Sequence, residues 1–178
     1  MFELKKLNKN DKSSLISIKE IYENSFPSNE RRDFNYVIEL IENNLFTVFA
    51  ITFEDRVIGL LSSWDFTYFT YIEHFAINEN FRNNGVGSHI FQEFINKTNT
   101  KIIFEVDLPE DDISLKRIGF YKKFGFTICK ETYIQPPYDS TKESVPMLIM
   151  ASEVIESKEE FETIKKTLYQ KVYLTDCI

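Results

Sequence analysis

The sequence predicts a mixed α/β (α+β) fold in a single domain. Three β-rich runs follow one another and lead into a run of helical period, the order expected of that class. A glycine turn separates the third strand from that helix, and a further apolar strand follows it. This strand–helix–strand unit predicts a parallel pairing with a right-handed crossover. At 178 residues the chain can bury a sizeable core, and its 17 Phe, 9 Tyr and one Trp supply bulky side chains to fill it.

Taken in order, Phe2 to Leu7 alternates apolar and polar residues and reads as a short strand. Asp11 to Ser25 reads as a helix with Leu15, Ile18, Ile21 and Tyr22 on one face. Phe26-Pro27 breaks it. Ser28 is the expected cap of a second helix, with Glu30 in its first turn and Phe34, Val37, Ile38 and Ile41 as its apolar stripe. That boundary would set Arg31 and Arg32 at the positive end of a helix, where they read as a solvated or salt-bridged surface pair. The other reading is a rim that holds an anionic group of a substrate.

Leu45 to Phe53 and Val57 to Phe66 are strands joined by Glu54-Asp55-Arg56, the spacing of a hairpin. Phe66 to Thr70 turns the chain into a third strand, Tyr71 to Ile77. Asn78 to Arg82 form a short loop. Val86, Ile90, Phe91, Phe94 and Ile95 then give a helix to Lys97 its apolar face. Lys101 to Asp107 is the next strand. A helix from about Ile113 to Phe124 follows, capped by Asp111 or Asp112 and closed by Gly125. Phe126 to Tyr133 and Met147 to Ala151 read as strands around a rigid Gln135-Pro136-Pro137-Tyr138 loop. Glu153 to Val172 reads as a charged helix with Val154, Phe161, Ile164 and Leu168 on one side, suited to cover an edge or to join a homodimer. The expected organisation is a domain over 1–151, with 152–178 as a helix packed on or extending it.

The chemistry concentrates at Arg82-Asn83-Asn84-Gly85-Val86-Gly87-Ser88. Its two glycines expose backbone N–H groups and open a helix whose first N–H groups lack partners, which is a ready anion site. Arg82 can add a fixed charge with fork geometry. This run also matches the Arg/Gln-x-x-Gly-x-Gly/Ala pyrophosphate turn of the GNAT N-acetyltransferase superfamily, and Phe75-Ala76-Ile77 resembles that family's cofactor-facing strand. Ser114 to Phe126 resembles the family's late helix, Asn-x-x-Ala-x-x-Phe-Tyr-x-x-x-Gly-Phe. Ser114 stands in place of the Asn and Arg117 in place of the small residue. Phe26-Pro27-x-x-Glu30-Arg31-Arg32 and Gln135-Pro136-Pro137-Tyr138 resemble segments of one bacterial branch of the superfamily. The resemblance runs to about Ala151.

It implies a mostly antiparallel sheet of six to seven strands flanked by helices, splayed beside the central strand to admit acetyl-CoA. It implies acetyl transfer to an amine by direct attack on the thioester. Phe75, Ala76, Ile77, Arg82, Asn83, Asn84, Gly85, Val86, Gly87, Ser88 and Ser114 are then the cofactor residues, with a backbone N–H near Phe75 to Ile77 facing the oxyanion. Tyr121, the Tyr of the Phe-Tyr pair, is the expected general acid. Its ordinary pKa of about 10 keeps it protonated at neutral pH. For the base the residues leave a choice. Alternation puts Glu73 on one strand face with Tyr71, Phe75 and Ile77, and His74 on the other, where a structural role is expected. Glu73 comes first, Glu105 second, and a water chain is the third possibility.

Other classes fit less well. A dinucleotide fold wants a third glycine where Ile90 stands, and a turn directly after the strand. A P-loop would need Gly-Lys-Ser/Thr. A non-catalytic acyl-CoA sensor on the same fold is the competing functional class. The net charge of −7 without basic runs speaks against nucleic acid and would suit a cationic amine. Cys129 and Cys177 have no metal spacing, and His74 and His89 make a metal site unexpected. Cys129 reads as a strand residue and not a nucleophile, and His89 as a surface residue. With no signal peptide and no apolar run of membrane length, a cytoplasmic protein is expected. The loops near Phe26 to Arg32, Trp64 to Thr70 and Tyr133 to Tyr138 are aromatic and mildly polar, which suits a small acceptor with an apolar part.

Overall fold

The computed structural model describes residues 1–175. Their contacts divide into two compact units, Met1–Ile102 and the residues from Ile103 onward.

The first unit holds β1 (Phe2–Lys6), α1 (Lys12–Ser25), α2 (Phe34–Leu40), β2 (Phe46–Phe53), β3 (Arg56–Asp65), β4 (Phe69–Ile77) and α3 (Val86–Lys97). β1 to β4 pair in sequence order, each antiparallel to the next. The β2–β3 loop is only Glu54-Asp55. Both residues have positive φ, 48° and 63°, which turns the hairpin with the hand that fits strand twist. β3 is buried along most of its length because both of its faces are covered. α1 packs across β3 and β4, and α3 across β1 and β4. Leu15, Ile18, Ile21 and Tyr22 of α1 are buried as its periodicity predicts. Val86 and Ile90 of α3 join Ile51, Ile58 and Ile77 in one apolar cluster. A methyl group at Gly59 would stand 2.5 Å from the Ala76 carbonyl oxygen, so β3 needs glycine where β4 approaches so closely.

The second helix begins later than the sequence suggests. Ser28–Glu30 is a single 3-10 turn, and Arg31 is extended. Asp33 caps α2, accepting from the Asn35 N–H. Phe34, Val37 and Leu40 are its buried residues, in place of a stripe through Ile38 and Ile41. The two arginines therefore lie just before the Asp33 cap, not in the first turn of the helix.

The second unit takes in β5 (Lys101–Asp107) from Ile103 on, α4 (Asp112–Lys122), β6 (Thr127–Ile128), β7 (Tyr133–Gln135), β8 (Val145–Ala151) and α5 (Lys158–Thr167). β8 pairs antiparallel with β5, β6 and β7. The expected strand over Phe126 to Tyr133 divides into β6 and β7, which pair opposite ends of β8. The described residues thus hold eight strands, not six to seven, in a mixed α/β fold that is mostly antiparallel. Asp111 caps α4 in a capping box with Ser114, and Gly125 follows the helix with φ of 86°. The last helix starts at Lys158, capped by Ser157, and leaves Val154 exposed outside it. It ends in a wider π turn, Leu168–Val172.

Candidate active site

The turn before α3 is built as its glycines suggest. Asn78 caps a 3-10 turn over Glu79–Phe81, and the chain then turns through two left-handed residues, Asn83 at φ of 66° and Gly85 at 75°. Asparagine tolerates that region better than most residues, and glycine adopts it freely. Gly85 occupies the cap position of α3 with no side-chain hydrogen bond, so no cap side chain competes for the first N–H groups of this 12-residue helix. Asn83, Asn84, Gly85 and Ser88 are exposed, and Val86 is buried beneath them as the anchor. Arg82 does not float free: its Nε donates to the Ile77 carbonyl at 2.8 Å. That bond ties the turn to the end of β4. Gly87 lies in the first turn of α3.

β4 carries an irregularity. Ser62 pairs with His74 and Ser63 with Ile72, which leaves Glu73 as the extra residue of a β-bulge. Strict alternation therefore fails at Glu73. Its carboxylate is held at both oxygens: Arg32 Nε donates to Oε1 at 2.8 Å and Trp64 Nε1 to Oε2 at 2.8 Å. The ion pair is sealed, with side-chain exposure of 4% for Arg32 and 1% for Glu73. The Arg32 guanidinium also lies over the rings of Tyr36 and Trp64. The surface pair expected at Arg31 and Arg32 is thus corrected at Arg32. Nor does Trp64 belong to a pocket loop; it is a buried residue of β3.

His74 faces α1, as a structural residue. Glu30 offers only a carbonyl at 3.0 Å, so His74 Nε2 carries the proton, and Nδ1 faces the Ser62 hydroxyl at 3.4 Å. Its ring meets Tyr22 and Phe26 edge-on. Burial lowers its pKa, opposed by the neighbouring Glu73 carboxylate. Burial first, and Glu73 second, push the Tyr22 phenol well above its usual range. The Tyr22 hydroxyl oxygen accepts the Arg32 backbone N–H at 2.8 Å. Phe75, on the other face, stacks on Phe91 of α3. Ala76 and Ile77 are buried.

In the second unit, Tyr121 lies half-buried on α4 with its ring 4.3 Å from that of Phe104. Desolvation raises its pKa to about 12. Glu105, half-buried on β5, accepts from two hydroxyls: Tyr133 donates to Oε1 at 2.5 Å and Tyr173 to Oε2 at 2.7 Å. Ser114 is buried, and its hydroxyl is engaged in the capping box, donating to the Asp111 carbonyl at 2.9 Å and facing the Asp111 N–H at 3.2 Å. Arg117 pairs with Asp107. Sequence reasoning missed Arg32, Trp64 and Tyr173 as partners of the two carboxylates. Only the Glu-Arg-Arg segment gave any signal for them.

His89 is exposed, as expected. Cys129 is half-buried just beyond β6. Burial, with Glu131 beside it, pushes its thiol up to about 11, which opposes a thiolate role. Cys177 lies outside the described residues. Among the described residues, no helix is long and apolar enough to cross a membrane, and no group of His, Cys, Asp or Glu side chains is placed to hold a metal.

The model of the acetyltransferase (GNAT) family matches residues 15–126. No curated protein matches the sequence. A Bacteroides thetaiotaomicron protein assigned to the GNAT family is 30% identical, with a TM-score of 0.89 over 97% of this chain and 98% of that one. Arabidopsis thaliana Naa50, solved with the bisubstrate analogue CoA-Ac-MVNAL, is 21% identical, with a TM-score of 0.63 over 86% of this chain and 99% of its own. The ribosomal-protein-S18-alanine N-acetyltransferase of Escherichia coli is 15% identical, with a TM-score of 0.61 over 89% of this chain and 97% of its own.

Proposed function

The chain belongs to the acetyltransferase (GNAT) family, and from that premise we propose that it transfers the acetyl group of acetyl-CoA to a primary amine by direct attack. The observation that carries the proposal is the turn before α3: exposed, twice left-handed, without a capping side chain, and tied to β4 through Arg82. Such a turn offers N–H donors and a partial positive charge to a pyrophosphate. Its residues fit the CoA diphosphate in sign and in donor type. The Naa50 complex supports the direct route, since its ligand joins CoA to a peptide through the acetyl group. We propose a small molecule or a protein amine as acceptor. We further propose that the chain falls in the bacterial branch sharing the Phe26-Pro27 and Gln135-Pro136-Pro137-Tyr138 segments.

In this reaction the amine nitrogen attacks the thioester carbonyl carbon, the C–S bond breaks, and one proton leaves the nitrogen. Glu105 and Glu73 are not equivalent as acceptors of that proton. Neutralising Glu73 would break its buried ion pair with Arg32, and breaking such a pair costs about 3–5 kcal/mol. Glu105 accepts from two neutral hydroxyls that can rotate from donor to acceptor, so its protonation keeps both of those bonds. We therefore assign Glu105, directly or through water, as the proton acceptor, and Glu73 as the anchor of the β4 bulge. Tyr121 is the proposed donor to the departing sulfur. A thiol has a pKa of about 8.5, so full proton transfer from a phenol at about 12 runs uphill by about 5 kcal/mol. Tyr121 thus stabilises the thiolate by a hydrogen bond, and the sulfur takes its proton from solvent.

The test is calorimetric titration with acetyl-CoA together with amine-dependent release of CoA thiol. Binding that weakens at least 10-fold in an Arg82→Ala, Gly87→Glu double variant, with thiol release on an amine panel, is expected. Binding without release for any amine would favour the sensor reading. No binding would overturn both.

A further inference from the structure

The segment after α5 reaches back to the carboxylate proposed above as the proton acceptor. Tyr169 lies within the π turn and Tyr173 closes it, its N–H donating to the Leu168 carbonyl at 3.1 Å. Such wide turns recur at functional sites. Both tyrosines are buried, at 3% and 5% exposure, although they lie near the end of the described chain. Their hydroxyls go to different places. Tyr169 donates to the Ile134 carbonyl at 2.5 Å, which docks the segment on β7. Tyr173 donates to Glu105 Oε2 at 2.7 Å.

We infer that Tyr173 is a positioning residue for Glu105, and that the C-terminal segment thereby completes the proton-accepting side of the enzyme. This rests on the reading of Glu105 given above. A carboxylate on a strand has two free side-chain torsions beyond its rotamer at Cβ, and one hydroxyl would fix only one oxygen. Tyr133 from β7 and Tyr173 from the π turn fix one oxygen each, so the carboxylate plane is defined from both sides. The Tyr138 ring packs on Tyr173 at 4.9 Å and holds it in place. Ile149 of β8 stands opposite Glu105 and is apolar. Asp107, two residues along β5, is paired with Arg117. All these contacts lie beyond residue 103, and Tyr133, Tyr138, Tyr169 and Tyr173 also lie beyond the span that the family model matches.

The experiment uses the full chain and three proteins: wild type, Tyr173→Phe and Tyr169→Phe. Carboxyl-carbon NMR of selectively labelled Glu follows the Glu105 titration. Hydrogen bonds to a charged group favour that form, so Tyr173→Phe should move the Glu105 midpoint upward by about one pH unit. Tyr169→Phe should leave it in place. In steady state, Tyr173→Phe should lower kcat at neutral pH about 10-fold or more while leaving KM for acetyl-CoA unchanged. Tyr169→Phe should keep kcat, because its hydroxyl does not touch Glu105. An unmoved midpoint in Tyr173→Phe would overturn the inference, as would equal effects of the two variants. If acetyl-CoA is bound but never transferred, the transferase reading falls, and the NMR titration still judges Tyr173.

Discussion

Replacing Glu73 by Gln removes a charge and little else. The amide keeps an oxygen for the Trp64 indole N–H, now 2.8 Å from Oε2, but the ion pair between Glu73 and Arg32 is lost. Because Arg32 is 4% exposed at its side chain, water cannot replace the lost partner. Removing one member of a sealed pair costs about 3–5 kcal/mol. For a chain of this length each kcal/mol moves the melting temperature by about 2–4 °C, so a fall of roughly 6–20 °C is expected. Adding Arg32→Met removes the buried charge that Glu73 had paired with. The methionine can still lie against Tyr36 and Trp64, where the guanidinium now sits 5.6 and 5.7 Å from the ring centroids. The double variant should therefore be more stable than Glu73→Gln alone by about 2 kcal/mol or more. Urea unfolding of wild type, both single variants and the double variant measures this as a coupling energy. A Glu73→Gln cost below about 1 kcal/mol, or a double variant no more stable than the single one, would refute the sealed-pair argument. The same proteins test the division of labour between the carboxylates. A stable double variant that still transfers acetyl groups is expected. A stable but inactive one would return the proton to Glu73.

Tyr121→Phe removes the hydroxyl proposed to face sulfur and keeps the ring on Phe104, so acetyl-CoA affinity and stability should hold while kcat falls about 10²-fold; unchanged transfer would remove Tyr121 from the mechanism. For His74 the folded state disfavours the proton, since burial lowers its pKa. The unfolded chain therefore binds more protons below about pH 6.5, and stability present above that value is lost as pH falls. The loss between about pH 7.5 and 5.5 is at most about 1.4 kcal/mol for one group. His74→Gln cannot titrate, so its unfolding free energy should fall less over that window than the wild type's; parallel curves would count against the buried neutral imidazole.

How much of this was legible in the sequence depends on how far each contact reaches along the chain. Elements were readable where their signals are local. The α1 face, the glycine turn, the Asp111 cap and Gly125 all depend on residues within one or two turns of each other, so periodicity and cap chemistry suffice. Ser28 shows the limit of such reasoning. It has good cap chemistry, yet the chain extends at Arg31 because Arg32 is drawn to α1 and β4: its backbone N–H meets Tyr22 and its side chain meets Glu73, 41 residues away. A local preference worth about 1 kcal/mol gives way to a sealed ion pair. The candidate site divides in the same way. The turn residues Arg82 to Ser88 could be read from their own spacing. The carboxylates could be found as residues but not ranked, since ranking needs their partners. Glu73 takes its character from Arg32 and Trp64, and from a bulge that breaks the alternation used to orient it. Glu105 takes its character from Tyr173, 68 residues on, in a segment that carries no motif. A carboxylate's readiness to accept a proton is a property of what surrounds it, so a sequence can nominate a base but only tertiary contacts can choose between two.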